Sequence, residues 1–520
     1  MYQSIIYKFQ KLIDVNTPII YIQSDDYVRV DEIIYHSVGE KEDDLQTKIE
    51  EWSLGSGPVN FYTKRKIDEG NMLNLEDFLT HRYNISRSRP SSSFIVIKGF
   101  HHFKDDSNVV SLLLQMAQRK LYDPKFHSII ILVSPIDITL PKELHKYISY
   151  LDIPFPNDNE IDELINRHLE VNGYKDKFMD EDREKLKPSL KGMTALEIDR
   201  MLDMVMSSNG SLSSEDKGMI LQQKKQMIKN SGLLELIDTP ASLDSIGGMN
   251  ALKTYLLRKE KVMRNVVEAQ RAGVSIPKGI MLVGMPGCGK SLCAKATAAV
   301  FQAPLLRLDM GSMMGKYVGE SESNLRNAIK IAEAAAPCIL WIDEIEKAFA
   351  GVSSGSEAYT TRMFGNFLSW LQDKTSSVYV IATANNADAL PPELKRKGRF
   401  DEIFCVNLPS KEECKAIFEV HLNSGVRKGL YQGVALTDAL LTHVVKKGFN
   451  GADIASVVND AIEELYIQNN SNNNLSDLLY SVAQNTVCIK ESCSKQIQSM
   501  EKTFKENAFI DASTGNKSRN

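Results

Sequence analysis

Ile280-Met281-Leu282-Val283 runs directly into Gly284-Met285-Pro286-Gly287-Cys288-Gly289-Lys290-Ser291, which has the spacing GxxxxGKS, and the chain from Ser291 to about Phe301 reads as helix. A buried strand, a glycine-rich loop and a helix in that order make a phosphate cradle. The glycines let the backbone curl until its N–H groups face one point, and the helix N-terminus adds positive potential there. In such a cradle Lys290 reaches the β- and γ-phosphates of ATP and the Ser291 hydroxyl ligates Mg²⁺. Gly284, Pro286, Gly287, Cys288, Gly289 and Leu292 are the further positions expected to hold the nucleotide.

The partner motif lies downstream. Cys338-Ile339-Leu340-Trp341-Ile342-Asp343-Glu344 is a buried strand ending in two carboxylates, with Asp343 placed 343 − 290 = 53 residues after Lys290 and one strand and one helix between them. At that spacing Asp343 can hold the Mg²⁺ shell and Glu344 can polarise the attacking water as general base.

Working outward, 520 residues imply three or four units, because one core does not grow that far. Apolar residues at 43% and charged residues at 25% are ordinary for a globular chain and exclude a disordered, collagen-like or disulfide-scaffold protein. Lys+Arg 62 against Asp+Glu 67 leaves −5, so no global basic field points to nucleic acid or anionic membrane. Apolar runs such as Ile339–Ile342 fall far short of the roughly 20 residues of a membrane span. The residues after Met1 carry no charged-then-apolar signal pattern. Seven cysteines, all from Cys288 onward and without a CxxC pair, speak for a reducing compartment and against disulfides or zinc.

The N-terminal part also alternates strands and helices. Thr17–Ile22, Phe94–Ile97 and Ile129–Val133 read as buried strands and Asn108–Lys120 as helix, which implies a parallel sheet covered on both faces. Ser86–Pro90 is a short basic run read as a solvated loop, and Ser207–Asp216 is a Ser/Gly/Asn-rich linker followed by a charged helix from Gly218 to about Asn230. The two halves match in register. Leu140–Leu144 aligns with Leu390–Leu394 at an offset of 250, Ile153–Pro156 with Val406–Pro409 at 253, and Lys191–Thr194 with Lys447–Asn450 at 256. Three matches in order indicate a tandem fold. The first half lacks the chemistry: Ile19–Ser24 leads to no glycine-rich loop, Lys98 and Gly99 stand where Asp343 and Glu344 stand, and Pro135 stands opposite Asn385.

From Leu243 to about Val458 the chain resembles the AAA ATPase family along its whole length. Leu243-Asp244-Ser245-Ile246-Gly247-Gly248 resembles the adenine-contacting segment, with Ile246 and Gly247 at the backbone-contact positions. Val380–Asn385 resembles the strand ending in the sensor residue, here Asn385, and Leu394–Asp401 resembles the arginine-finger segment, with Arg396 and Arg399. His421 stands at a nucleotide-contacting position, and Gly451-Ala452 at the start of the lid helix beside the ribose and adenine. Gly315–Glu322 resembles the central-pore loop, with Tyr317 as the aromatic that grips an extended polypeptide. Ser245 and Asn386 depart from the family's usual Asp and Arg. A degenerate first module, one complete second module and the run Thr361–Gln372 together are similar to the hypothetical-reading-frame AAA family of chloroplast genomes, cyanobacteria and other bacteria.

The resemblance implies an α/β P-loop NTPase (AAA) parallel-sheet core with a helical lid, preceded by a degenerate AAA-like α/β module. The expected organisation is 1–205 degenerate module, 206–238 linker, 239–408 ATPase core, 409–475 helical lid, and 476–520 a C-terminal helix and polar tail, frayed from about Asp511. It further implies a homo-oligomer, a hexamer by family, with finger arginines acting on the neighbour's ATP. Two readings stay open: a remodelling motor on a protein client, and a nucleotide-gated assembly protein with little turnover. The acidic balance argues against nucleic acid as partner. The compartment is cytoplasm, or plastid stroma if the gene is plastid-encoded.

Overall fold

The computed structural model describes residues 3–38, 47–67, 74–85, 92–135, 138, 140–173, 186–187, 190–209, 222, 226, 228–229, 232–237, 241–308, 320–348, 358–396, 398–431, 433–467, 475–507 and 509–516. The chain forms two compact units, Met1–Leu221 and Gln222–Asn520.

In the first unit six strands form one sheet in the order β3-β2-β4-β5-β1-β6. They are β1 (Ile19–Gln23), β2 (Thr47–Ser53), β3 (Gly57–Asn60), β4 (Ser92–Lys98), β5 (Ile129–Ser134) and β6 (Ile148–Asp152). All neighbours are parallel except the β2/β3 pair. The strand runs are apolar at every position because successive side chains enter opposite faces, and both faces are covered. Ile19, Tyr21, Ile95, Ile97 and Leu132 enter one core cluster, while Ile20, Ile22, Val96, Ile131 and Val133 enter the other.

Strands β2, β3 and β6 carry no clear apolar period. Strand β2 holds Glu50 and Glu51 at its centre, and both are buried. A sequence scan reads two adjacent carboxylates as surface. The fold buries them against cations: Glu50 pairs with Arg82 at 2.5 Å, and Glu51 with Lys64 at 2.5 Å and Lys98 at 3.1 Å.

In the second unit the sheet order is β13-β12-β8-β11-β10-β9-β7. The strands are β7 (Leu234–Ile237), β8 (Gly279–Gly284), β9 (Leu305–Leu308), β10 (Cys338–Ile342), β11 (Val378–Ala384), β12 (Glu402–Val406) and β13 (Ile510–Asp511), with only β7 antiparallel to its neighbour. The order β9-β10-β11-β8-β12 repeats β2-β4-β5-β1-β6 of the first unit. Four helices, Lys411–Leu422, Asp438–Lys447, Gly451–Ile467 and Leu475–Asn485, form a lid with its own core around Phe418, Leu440, Phe449 and Val457. On the Ala358–Asp373 helix Phe364, Phe367 and Leu371 are core residues.

The first unit's equivalent of the phosphate site is filled by its own charges. Gly99 after β4 and Glu344 after β10 both take left-handed backbone (φ 75° and 49°), so Lys98 occupies the strand-end position of Asp343. Lys98 Nζ lies 2.8 Å from Asp31 on the Tyr27–Val38 helix, which leaves β1 as the phosphate-loop helix leaves β8. At that helix's N-terminus sits buried Asp26, whose carboxylate accepts the N–H groups of Arg29 (3.1 Å) and Ala195 (2.9 Å). A carboxylate already satisfies the positive helix end that a phosphate would use.

The C-terminal segment corrects the sequence expectation of a tail frayed from Asp511. Strand β13 pairs with β12, the Ala512 N–H donates to the Cys405 carbonyl at 3.0 Å, and Phe509 and Ala512 are buried. The exposed edge of β12 offers unpaired backbone groups that this segment satisfies. Two apolar residues among polar ones make too short a pattern to read as a strand. The linker Ser207–Asp216 is described only through Asn209, where it continues the Ala195–Asn209 helix. Ser86–Pro90, Tyr317 and most of the Gly218–Asn230 segment lie outside the described residues.

Candidate nucleotide site

Strand β8 delivers the loop 284–289 to the helix Lys290–Phe301. Gly287 and Gly289 take φ of 77° and 85°, the left-handed region that favours glycine. A Cβ on Gly287 would sit 2.5 Å from the Asn450 amide nitrogen and 2.9 Å from the Ala452 methyl. The loop is therefore pressed against the lid. The Asn450 side chain donates to the Pro286 carbonyl (2.9 Å) and the Ala452 N–H to the Gly287 carbonyl (3.1 Å).

Lys290 is buried, and its ammonium donates to the carbonyls of Gly284 (2.7 Å) and Met285 (2.8 Å). That leaves one of its three hydrogens for a phosphate oxygen. Burial lowers the Lys290 pKa, against the pull of the nearby carboxylates. Cys288 lines the same cavity, and burial pushes its thiol up to about 11, so it is a neutral wall and not a nucleophile.

The cavity measures about 460 Å³, and Ser291, Asp343, Glu344 and Asn385 open onto it with the loop. Glu344 holds its left-handed backbone at a cost of order 1–3 kcal/mol. Contacts from the end of β11 help keep it there. Its N–H donates to Thr383 Oγ1 (3.1 Å), and its carboxylate accepts Asn385 Nδ2 at 2.7 Å. The Thr383 hydroxyl in turn donates to Asp343 Oδ1 at 2.5 Å. Asn385 is held through its N–H by buried Glu346 (2.8 Å), whose carboxyl pKa is raised chiefly by burial. Replacing Thr383 by Val keeps shape but frees both Asp343 and Glu344, and should lower the ATP turnover number about tenfold with nucleotide affinity unchanged, as read in a steady-state assay.

The residue set suits magnesium. Ser291 and Asp343 would hold it, both hard oxygen donors on one cavity, with Asp343 Oδ2 left over from the Thr383 bond. There it would supply charge neutralisation for the phosphates.

The opposite wall is built by Ile246 and Gly247. A Cβ on Gly247 would lie 2.5 Å from Ile417 Cγ1, so only glycine lets this backbone approach the lid. His421 also lines the cavity, and burial, helped by Arg427, lowers its pKa. Its neutral ring offers one donor and one acceptor. Leu292, Gly451 and Ala452 line it too. Gly284 does not; it packs on Val406 and gives its carbonyl to Lys290. Arg396 and Arg399 lie off the cavity of their own chain, Arg396 exposed and Arg399 half-buried.

Sequence reasoning missed Thr383, Glu346, Asn407, Glu413 and Ser513. Only Glu413 had a legible signal, as the fourth residue of the capping box Ser410-Lys411-Glu412-Glu413.

Fold and site together define the second unit as an AAA-type P-loop ATPase module. The model of the ATPase family associated with various cellular activities (AAA) matches residues 280–408, and those of the SpoVK-like AAA ATPase N-terminal and second domains match 5–153 and 159–231. The chain is 32% identical over 502 residues to the ycf46 AAA domain-containing protein of Guillardia theta, covering 96% of this chain and 95% of that one. It is 34% identical over 458 residues to that of Trieres chinensis, 88% of each. Its likeness to the ATP-dependent zinc metalloprotease FtsH of Acaryochloris marina is 33% over 246 residues, 46% of this chain and 36% of that one. The chain belongs to the ycf46 family of AAA domain-containing proteins. No helix among the described residues is long and apolar enough to cross a membrane.

Proposed function

We propose that the second unit binds Mg-ATP and hydrolyses it as part of a homo-oligomeric motor that remodels a protein client, in the cytoplasm or a plastid stroma. The observation that carries the reading is the Asn385–Glu344 pair, 2.7 Å apart on the cavity that Lys290 and Asp343 also line. In this reading Glu344 takes a proton from the attacking water, Asn385 orients the carboxylate, and Lys290 draws charge from the γ-phosphate. Arg396 and Arg399 complete the site from a neighbouring copy. Their place off the cavity of their own chain supports this, with Arg396 exposed and Arg399 half-buried.

The test is a titration. Specific ATPase rate should rise with protein concentration and plateau, with one nucleotide bound per chain because the first unit's site is filled by Asp26 and Lys98. A rate independent of concentration removes the shared-site mechanism, and two nucleotides per chain would overturn the reading of the first unit.

A second reading, nucleotide-gated assembly with little turnover, draws on one contact. Glu344 Oε2 is also held by Lys347 Nζ at 2.6 Å, which occupies the second carboxylate oxygen of the base. Burst kinetics with stable ATP-bound oligomers would favour it.

A further inference from the structure

Part of the cavity wall comes from three segments remote in sequence: residues 245–249, the Lys411–Leu422 helix, and the C-terminal segment 509–516. Glu413 joins them. Its Oε1 accepts the Met249 N–H (3.0 Å) and the Ser513 hydroxyl (2.5 Å), and its Oε2 accepts the Ser410 N–H (3.0 Å). The C-terminal segment is fixed on both sides. The Leu252 N–H donates to the Ala512 carbonyl (2.9 Å), and the Ala512 N–H donates to Cys405. The helix before it, Ile489–Asn507, is anchored to the loop after Asn385, where Asp388 accepts the hydroxyls of Ser499 (2.6 Å) and Thr503.

These bonds set a polarity. A carboxylate only accepts, so the Ser513 proton is committed to Glu413 and the hydroxyl oxygen has lone pairs left to offer. The same logic orients Asn407, another lining residue. Its Nδ2 donates to Asp511 Oδ2 at 2.6 Å, and since Asp511 cannot donate, the amide is held with its NH₂ toward the C-terminal segment. Oδ1 is the polar atom Asn407 retains for a ligand. Glu413, Ser513 and Asn407 therefore present acceptors.

We infer that the C-terminal segment makes this wall a nucleobase selector: it accepts the exocyclic amine of a 6-aminopurine and rejects a 6-oxopurine, whose O6 would face lone pairs. The inference rests on the reading that the cavity takes a purine nucleotide with its phosphates on the Lys290 loop. Ser513 and Asn407 are the specificity-determining residues, and Asp511 is a positioning residue acting through Asn407.

Equilibrium binding of ADP and IDP to the full chain tests it, since the two differ only in the 6-substituent and the adjacent ring proton. The wild type should bind ADP about tenfold or more tighter than IDP. Ser513→Ala should narrow that ratio about threefold to tenfold by weakening ADP. Asp511→Asn supplies a donor to Asn407, lets its amide turn over and brings NH₂ to the cavity, so IDP should gain while ADP loses. A merely structural role for Asp511 would weaken both together. Asn407→Leu removes the acceptor together with the bond to Asp511, leaves Ser513 and its bond to Glu413 in place, and should also narrow the ratio. ADP bound with no preference, or an unchanged ratio in all three variants, overturns the selector alone. Failure of the wild type to bind either nucleotide removes the ATPase reading and the selector with it.

Discussion

Glu344→Gln is expected to bind ATP with wild-type affinity and hydrolyse it about two to four orders of magnitude more slowly. The substitution keeps the shape of the side chain and the left-handed backbone position. Asn385 Nδ2 can still donate to a Gln carbonyl oxygen at the 2.7 Å seen for Glu344. What is lost is the basic lone pair that, in the proposed mechanism, removes a proton from water. Lys290, Ser291 and Asp343 are untouched, so the ground-state site survives. Single-turnover hydrolysis beside an equilibrium binding measurement separates the two effects. Wild-type turnover in this variant would remove Glu344 from its role and return attention to Glu346, the other carboxylate bonded to Asn385.

Arg399→Ala should reduce hydrolysis by about a thousandfold or more, the range of an arginine finger, again without loss of nucleotide binding. Arg399 lies off the cavity of its own chain, so nothing it does there can hold ATP. The decisive form of the experiment mixes variants. A chain carrying Arg399→Ala retains Glu344, and a chain carrying Glu344→Gln retains Arg399. If the site is shared between copies, a mixture of the two dead proteins should recover part of the activity, because some interfaces pair an intact base with an intact finger. No recovery across mixing ratios would mean that Arg399 works within its own chain or not at all.

Much of this site is readable as sequence because its parts are local. Gly284 to Ser291 specifies a loop through the conformations of neighbouring residues, and the strand before it and helix after it supply the direction of its N–H groups. Asp343 and Glu344 follow a five-residue apolar strand whose burial is set by composition alone. The absence of such a loop after Ile19–Ile22 is equally local and predicts a first unit without the phosphate chemistry, while the three matches in register predict that it has the same fold. The repeated strand order bears out that fold, since both apolar runs are buried on two faces by helices.

The rest depended on contacts that no period or spacing encodes. Thr383 is one more small residue in a buried strand until β11 lies beside β10 and its hydroxyl reaches Asp343, 40 residues away. Glu50 and Glu51 look like surface until Arg82, Lys64 and Lys98 are brought to them.

The amino-acid order by itself determined a strand, a glycine-rich loop and a helix in series, a second strand ending in two carboxylates, and a first unit with no equivalent loop, because each of these is set within one strand, one turn or one helix end. Only the tertiary structure decided that Asp26 and Lys98 take the first unit's place for a phosphate and that Ser513 of the C-terminal segment lines the second unit's cavity. Those outcomes are pairings of charges and hydrogen-bond donors between distant segments, and their energy exists only once the chain has folded them together.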